Sequence, residues 1–567
     1  MARRLLAHLV IACLCVALSG CLESSVESPL MPVTDTTDTT DTTEPVVLKP
    51  VPVPVTLSGF LRYQDRSYNQ NGFISANQPL KAIRLVDLEL IDELGDTVQA
   101  SITSATGFYQ FDAVMTGSYR LRLKATAQAA GGSIIQVVDN QGLLYAVDLP
   151  IELTEANTQF DLSVMVEDRV AGIFNMLDVY QLAYQFVEAM TGDALLLDDL
   201  RVIWQWGQSA GSYTCRSDCG QGAGIYVLSD ALQSGDTDEF DDDVLWHEFA
   251  HHLEISYGLL DSPGGVHTLL STSLDLRLAF SEGMASFFAT SLKNWLRQTA
   301  PQHLSVPQTI GVDLTDYYID TVGSRTTVSL DLANASSRYR YATNEVAIAA
   351  VLIDLQDRLG AVAIWQTVTA YLTGNVTADT LESYWDGLVG RNSPARADLA
   401  TWQSLLAARG IDYRLDALES NNQLSSATAL AEGQLQSSSL FLRTGQVDED
   451  WFVFAVTAGQ GYRVATQSLR NGADTLIELF DDQGLALLGA NGDALVNDDL
   501  FDCEDRPSNC SPLHDGYNFA SELSFTAAST TTLYLRVTTS PSVYEDPVNY
   551  GYIGRYGSYF VNLASQP

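Results

Sequence analysis

Positive charge is scarce in this chain: 30 Lys and Arg stand against 70 Asp and Glu over 567 residues, a net charge of −40. A field of that sign repels phosphate backbones, which excludes nucleic acid as a partner and leaves a solvated acidic surface, or local calcium binding, as its meaning. Long apolar runs are scarce as well. After residues 5–18 no stretch reaches the roughly 20 apolar residues that a spanning helix needs, so no later membrane span is expected. Histidine is rare, with 7 in the chain, so a pair at metal-ligand spacing is informative. What is plentiful is length, enough for three or four domains of about 150 residues each.

Arg3 and Arg4 precede the apolar run and Leu18-Ser19-Gly20-Cys21 follows it, the pattern of a signal peptide over 1–20. The LSGC string resembles a bacterial lipobox. That resemblance implies cleavage before Cys21, acylation of its thiol and anchoring in the cell envelope by several acyl chains. Glu23 resembles outer-membrane rather than retained inner-membrane lipoproteins, facing either the periplasm or the surface. A plain secretory signal with an incidental cysteine is the other reading. Residues 21–54 hold TDTTDTTDTTEP and KPVPVPV, which cannot bury a core and read as an extended spacer. Of the 7 cysteines, Cys215/Cys219 and Cys503/Cys510 form two close pairs, which in an exported protein read as two local disulfides. A zinc site built from all four thiolates is the competing arrangement, disfavoured by the distance between the pairs and by an oxidising compartment.

Over 55–167, alternating segments such as 55–63, 83–91 and 119–123 are separated by turn residues, an all-β pattern. Ser104-Ala-Thr-Gly-Phe-Tyr-Gln-Phe111 with Gly117-Ser-Tyr119 resembles the carboxypeptidase-regulatory-like sandwich, implying an accessory module. Over 168–412 the period becomes helical, at 171–190, 242–257, 274–296, 344–359 and 361–372, with a strand at 201–206: a mostly helical α+β domain. Short strands return over 415–567. Leu418-Glu-Ser-Asn-Asn422, Val447-Asp-Glu-Asp-Trp-Phe452, Ala458-Gly-Gln-Gly-Tyr462, Gly472-Ala-Asp-Thr-Leu-Ile477 and Asp481-Asp-Gln-Gly484 resemble the bacterial pre-peptidase C-terminal domain, a β-sandwich found beside secreted peptidases. The expected chain is therefore multidomain: an all-β sandwich, a helical α+β domain, then a second all-β sandwich.

Trp246-His247-Glu248-Phe249-Ala250-His251-His252 contains HExxH. Two histidines four apart stand one turn apart on one helix face, so both imidazoles reach one ion, while Glu248 lies one residue round and is free to act as a base. Asp241, Asp242 and Asp243 suit a helix N-terminus, and Leu245, Phe249 and Leu253 give the helix a buried stripe. A third ligand is expected at Glu282, in a segment kept small by Gly283, Ala285 and Ser286 so that it can approach the HExxH helix. A carboxylate between Phe280 and Met284 is costly to bury without a cation. HEFAHH and SEGMASFF together resemble the gluzincin metallopeptidases, in which a Glu on a second helix completes a zinc site. The resemblance implies peptide-bond hydrolysis by a zinc-activated water with Glu248 as general base. Ser286 stands where related sequences place an Asp that orients a ligand imidazole, which leaves that orienting group unassigned.

His267, in a loop, is a second candidate for ligation or substrate contact, and His252 is expected to be structural. Residues 338–355 resemble a stretch that supplies an oxyanion donor in related peptidases; Tyr341 is the expected donor, with Tyr339 and His267 as alternates and plain packing as the other reading. Asp448, Asp450, Asp474, Asp481, Asp482, Asp498, Asp499 and Asp502 offer oxygen ligands that suit calcium, but no run matches an EF-hand loop, and solvated turns are the simpler reading. The resulting expectation is a lipid-anchored zinc metalloendopeptidase acting on protein or peptide. The alternatives are an inactive surface binding or adhesion protein that keeps the fold, and a zinc aminopeptidase, for which no string of the G-x-M-E-N type supplies a group to hold the substrate amine.

Overall fold

The computed structural model describes residues 51–566 except 77, 192–196, 218, 260–261, 266, 270, 272–273, 306–312, 324, 370–379, 392–397, 414–415, 442–447, 499, 501–518 and 540–555. Contacts divide the chain into Met1–Val51 and Pro52–Pro567, and the account below concerns the second unit. The signal segment, Cys21, most of the spacer, Cys503, Cys510, Asp499 and Asp502 lie outside the described residues.

The alternating segments form strands whose apolar face turns inward. In Pro54–Gln64, Leu57, Leu61 and Tyr63 are fully buried. Val86–Ile91 pairs antiparallel with Gly117–Gln128, setting Leu88 opposite Leu123 and Leu90 opposite Leu121. This sheet does not stop at the 167/168 boundary read from the sequence. Ile134–Val138 pairs in parallel with Leu200–Trp204, which pairs in parallel with Gly224–Val227, and Tyr213–Cys215 lies antiparallel beside it at the sheet edge. One hydrophobic core accordingly joins sheet to helices, with residues from Leu57 to Tyr413 and Phe519 beside them.

The helices of that core that surround the site are α1 (Ala171–Thr191), α2 (Asp242–Ser256), α3 (Leu276–Thr299) and α4 (Glu345–Leu359), with Trp365, Trp385 and Trp402 of later helices packed into the same core. Their 3.6-residue periodicity is what the sequence displays, and Leu245, Phe249 and Leu253 of α2 are buried as expected. The acidic start of α2 works differently from a simple cap. Asp241 makes no side-chain capping bond; its Oδ2 accepts from Thr321 N at 2.8 Å. Asp242 accepts from Asn175 Nδ2 and Ser305 Oγ, and Asp243 binds Lys293 and Ile319 N. All three carboxylates are buried, so they fasten the helix to neighbouring elements instead of facing water.

Gly283 also differs from expectation. It eases the approach of α3 to α4, not to α2: a Cβ there would lie 2.7 Å from both Glu345 O and Ile348 Cβ. Gly283→Ala is therefore expected to cost about 1–3 kcal/mol through overpacking, read as a lower guanidinium midpoint, and to push Glu345 away from Glu282.

The C-terminal strands build two antiparallel-rich sheets, of five and four strands. Phe452, Ile477 and Leu535 of one sheet and Val464, Tyr559 and Val561 of the other share a second core, which makes this part a β-sandwich. Asp448, Asp450 and Asp474 are buried here, which overturns the solvated-turn reading for those three. Asp450 accepts from Asn421 Nδ2 and the Tyr559 hydroxyl. Burial, then the charge of Asp416, pushes it up to about 7. The candidate metal-binding groups among the described residues include none of the tail aspartates.

Candidate metal centre

His247 and His251 project from α2 toward Glu282 of α3. His247 Nε2 lies 3.1 Å from Glu282 Oε2, His251 Nε2 lies 3.4 Å from the same oxygen, and the two Nε2 atoms are 3.3 Å apart. Ligands bound to zinc at about 2.0–2.1 Å in a tetrahedron stand about 3.3–3.4 Å from one another, so this triangle has the size of one face of such a site. Burial works against charge on both sides of the cluster but is outweighed. Glu282 is held well below the carboxylate range by the charge of His251 and by bonds from His247, His251 and His267. His251 is held well above the imidazole range by Glu282 and Glu254. The centre is arranged to set positive charge against an ionised carboxylate.

The outer groups are not the ones the sequence displays. His251 Nδ1 lies 3.1 Å from Glu254 Oε2, one turn along α2, and Ser281 Oγ donates to that oxygen at 2.7 Å. Ser286 Oγ, at the position where an Asp was missing, lies 3.4 Å from His247 Nδ1. Both ring nitrogens that face away from the cluster thus meet an oxygen, the arrangement that fixes a ligand imidazole's tautomer and aim. Glu254 was findable from the i, i+3 spacing on a helix. Ser281 was not, since it depends on how α3 crosses α2.

Glu248 stands beside the triangle. Its Oε2 accepts from Thr214 Oγ1 at 2.9 Å, and the same hydroxyl lies 2.7 Å from the Glu248 carbonyl. Thr214 belongs to the edge strand Tyr213–Cys215, which the Cys215–Cys219 disulfide ties into its loop. His252 points away: Nε2 meets Asp198 O at 3.3 Å and Tyr184 Oη at 3.2 Å, and burial lowers it to about 4. It is a neutral packing residue.

Tyr341 has a left-handed backbone, φ +76, and its ring packs against Gly410 between the guanidinium groups of Arg340 and Arg470. Tyr339 bonds Arg338. These described contacts include no member of the cluster. The aromatic ring beside it is Tyr318, on the strand Tyr317–Val322, with its centroid 5.6 Å from that of His247. Burial, then the charges of Asp320, Asp241 and Glu248, holds its hydroxyl protonated. His267 Nε2 reaches Glu282 Oε2 at 3.3 Å, but it groups with Glu282 and Glu345 and not with the two α2 histidines.

No family model and no curated protein matches this chain. Solved structures similar to parts of it include the pre-peptidase C-terminal domain of a Bacillus anthracis collagenase, at 14% identity over 24% of this chain and 93% of that one, with a TM-score of 0.15. PliG of Aeromonas hydrophila, a periplasmic inhibitor of g-type lysozyme, matches at 12% identity over 25% of this chain and 97% of that one, also at 0.15. Aminopeptidase A of Legionella pneumophila, solved with aspartic acid, matches at 13% identity over 85% of this chain but 41% of that one, at 0.28.

Proposed function

We propose that this chain is a zinc-dependent metalloendopeptidase, exported and held at the bacterial cell envelope through a lipid on Cys21, with β modules on either side of the catalytic helices. The observation that carries this reading is the triangle of His247 Nε2, His251 Nε2 and Glu282 Oε2, with an unligated Glu248 fixed beside it. His247, His251 and Glu282 would hold a zinc ion, which would supply Lewis-acid polarisation of a scissile carbonyl and lower the pKa of a water toward about 7.

The remaining roles belong to the chain. Glu248, oriented by Thr214, accepts the proton of the attacking water and passes it to the leaving amine. Tyr318 takes the place of Tyr341 as the hydroxyl offered to the developing oxyanion, since its ring lies beside that of His247. The edge strand Tyr213–Cys215 stands next to Glu248 and can pair with an extended substrate, which supports cleavage within a chain. Against an inactive adhesion protein stands the intact set of base, base-holding hydroxyl and imidazole-orienting groups.

The full chain is expected to retain zinc and to cleave casein or a quenched peptide library, with both lost on chelation. Glu282→Ala should weaken zinc binding by more than about 100-fold, since even the loss of an outer-shell group costs 10–100-fold. Undiminished zinc binding in that variant, measured by metal analysis after dialysis, overturns the assignment.

A further inference from the structure

Glu345 is the first residue of α4 and lies almost entirely inside the protein, its side chain 3% exposed. Its Oε2 accepts no hydrogen bond. A buried carboxylate oxygen without a donor is costly, and a second carboxylate, that of Glu282, stands close to it. The oxygen faces His267 Nε2 at 3.8 Å, and His267 Nε2, Glu282 Oε2 and a Glu345 oxygen all lie within 4.8 Å of one another.

His267 is already set as a ligand would be. Its Nδ1 lies 3.2 Å from Gly265 O, which turns Nε2 toward the two carboxylates, 3.3 Å from Glu282 Oε2 and 3.8 Å from Glu345 Oε2. Gly265 makes this possible, since at φ +119 it turns the loop where residues with a side chain are disfavoured. The loop is then pinned to α4: Asn344 Nδ2 donates to Ser271 O at 2.6 Å, and Leu274 N donates to Thr343 O. An imidazole nitrogen and two carboxylates converging on one spot are a donor set that a divalent cation can take, in place of the proton through which Nε2 otherwise bonds Glu282.

We propose that His267, Glu282 and Glu345 hold a second divalent transition-metal ion, with Glu282 shared between the two sites. An imidazole nitrogen with two carboxylate oxygens suits zinc or manganese better than calcium or magnesium. The burial of Glu345 favours a bare ion over the ammonium group of a peptide, which needs an open path for the residue it is attached to. The proposal rests on His247, His251 and Glu282 being the first ion's ligands.

The test is titration of the chelator-stripped full chain with zinc alone, followed by calorimetry and by metal analysis after gel filtration. Two zinc ions per wild-type chain are expected, and one in Glu345→Gln and in His267→Ala. His267 lies in a loop with its side chain 29% exposed, so its variant is expected to keep the fold even if Glu345→Gln does not. One zinc in the wild type, unchanged by either substitution, overturns the second site while leaving the first intact. A wild type with one zinc, lost in Glu345→Gln but kept in His247→Ala, overturns the shared pair of sites and His247 as a ligand together, because the ion then sits at a single centre.

Discussion

Glu248→Gln is expected to lower kcat by about 10²–10⁴-fold, roughly 3–5 kcal/mol of barrier, while the chain binds as much zinc as before. Glutamine keeps the size of the side chain and still offers Thr214 an oxygen, so the 2.9 Å bond that orients position 248 survives. Only the proton acceptor is removed. Because Glu248 stands outside the ligand triangle, metal content reports folding and site assembly independently of turnover. Cleavage of a quenched peptide at the wild-type rate, with zinc still present, removes Glu248 from the mechanism. Tyr318→Phe is the companion measurement: a loss in kcat with little change in KM is what an oxyanion donor produces, whereas Tyr341→Phe should leave both constants near wild type.

The parts of this centre that were legible in the sequence are those whose geometry one element sets by itself. His247, Glu248 and His251 share a helix whose Leu245, Phe249 and Leu253 fix which face is buried, so the spacing alone places two imidazoles together. Glu282 was legible because an acid inside an apolar helical stripe asks for a cation. Thr214, Ser281, Tyr318 and Glu345 were not. Each comes from another strand or helix and reaches the centre through a crossing that no local pattern encodes. Gly283 shows the same limit, since its smallness was visible but the partner it admits, α4, was not. The start of α2 is a case where local logic pointed elsewhere. Three consecutive aspartates read as a cap and a dipole complement, yet tertiary donors on Thr321, Ser305 and Lys293 claim them. The continuous sheet across residue 168 was hidden because parallel pairing between Ile134–Val138 and Leu200–Trp204 leaves only two ordinary apolar strands in the sequence.

Lys293→Met is expected to destabilise the protein by about 3–5 kcal/mol, the range for breaking a buried ion pair from one side. Lys293 Nζ lies 2.8 Å from Asp243 Oδ2 with both side chains 0% exposed, and it also donates to the carbonyls of Tyr317 and Leu314. The same Asp243 oxygen accepts from Ile319 N at 2.9 Å. Burial raises Asp243, and the charge of Lys293 is the largest influence opposing that rise; without the ammonium the carboxyl is left higher still. A carboxyl raised in the folded state keeps its proton there while the unfolded chain releases it, so stability is retained below the unfolded pKa near 4 and lost as pH climbs through the raised folded value. The deficit of Lys293→Met should therefore be smallest in acid and largest at neutral pH. Guanidinium unfolding of the full chain at a series of pH values reads this directly, and a variant within about 1 kcal/mol of wild type at pH 7 refutes it. Asp243→Leu combined with Lys293→Met should recover much of the loss, since an apolar pair carries no buried charge to leave unmatched. Activity should not recover with it. The ion pair ties the first turn of α2, the body of α3 and the strand bearing Tyr318 to one point, so it holds ligands and hydroxyl in register, and a leucine–methionine contact restores packing without that alignment.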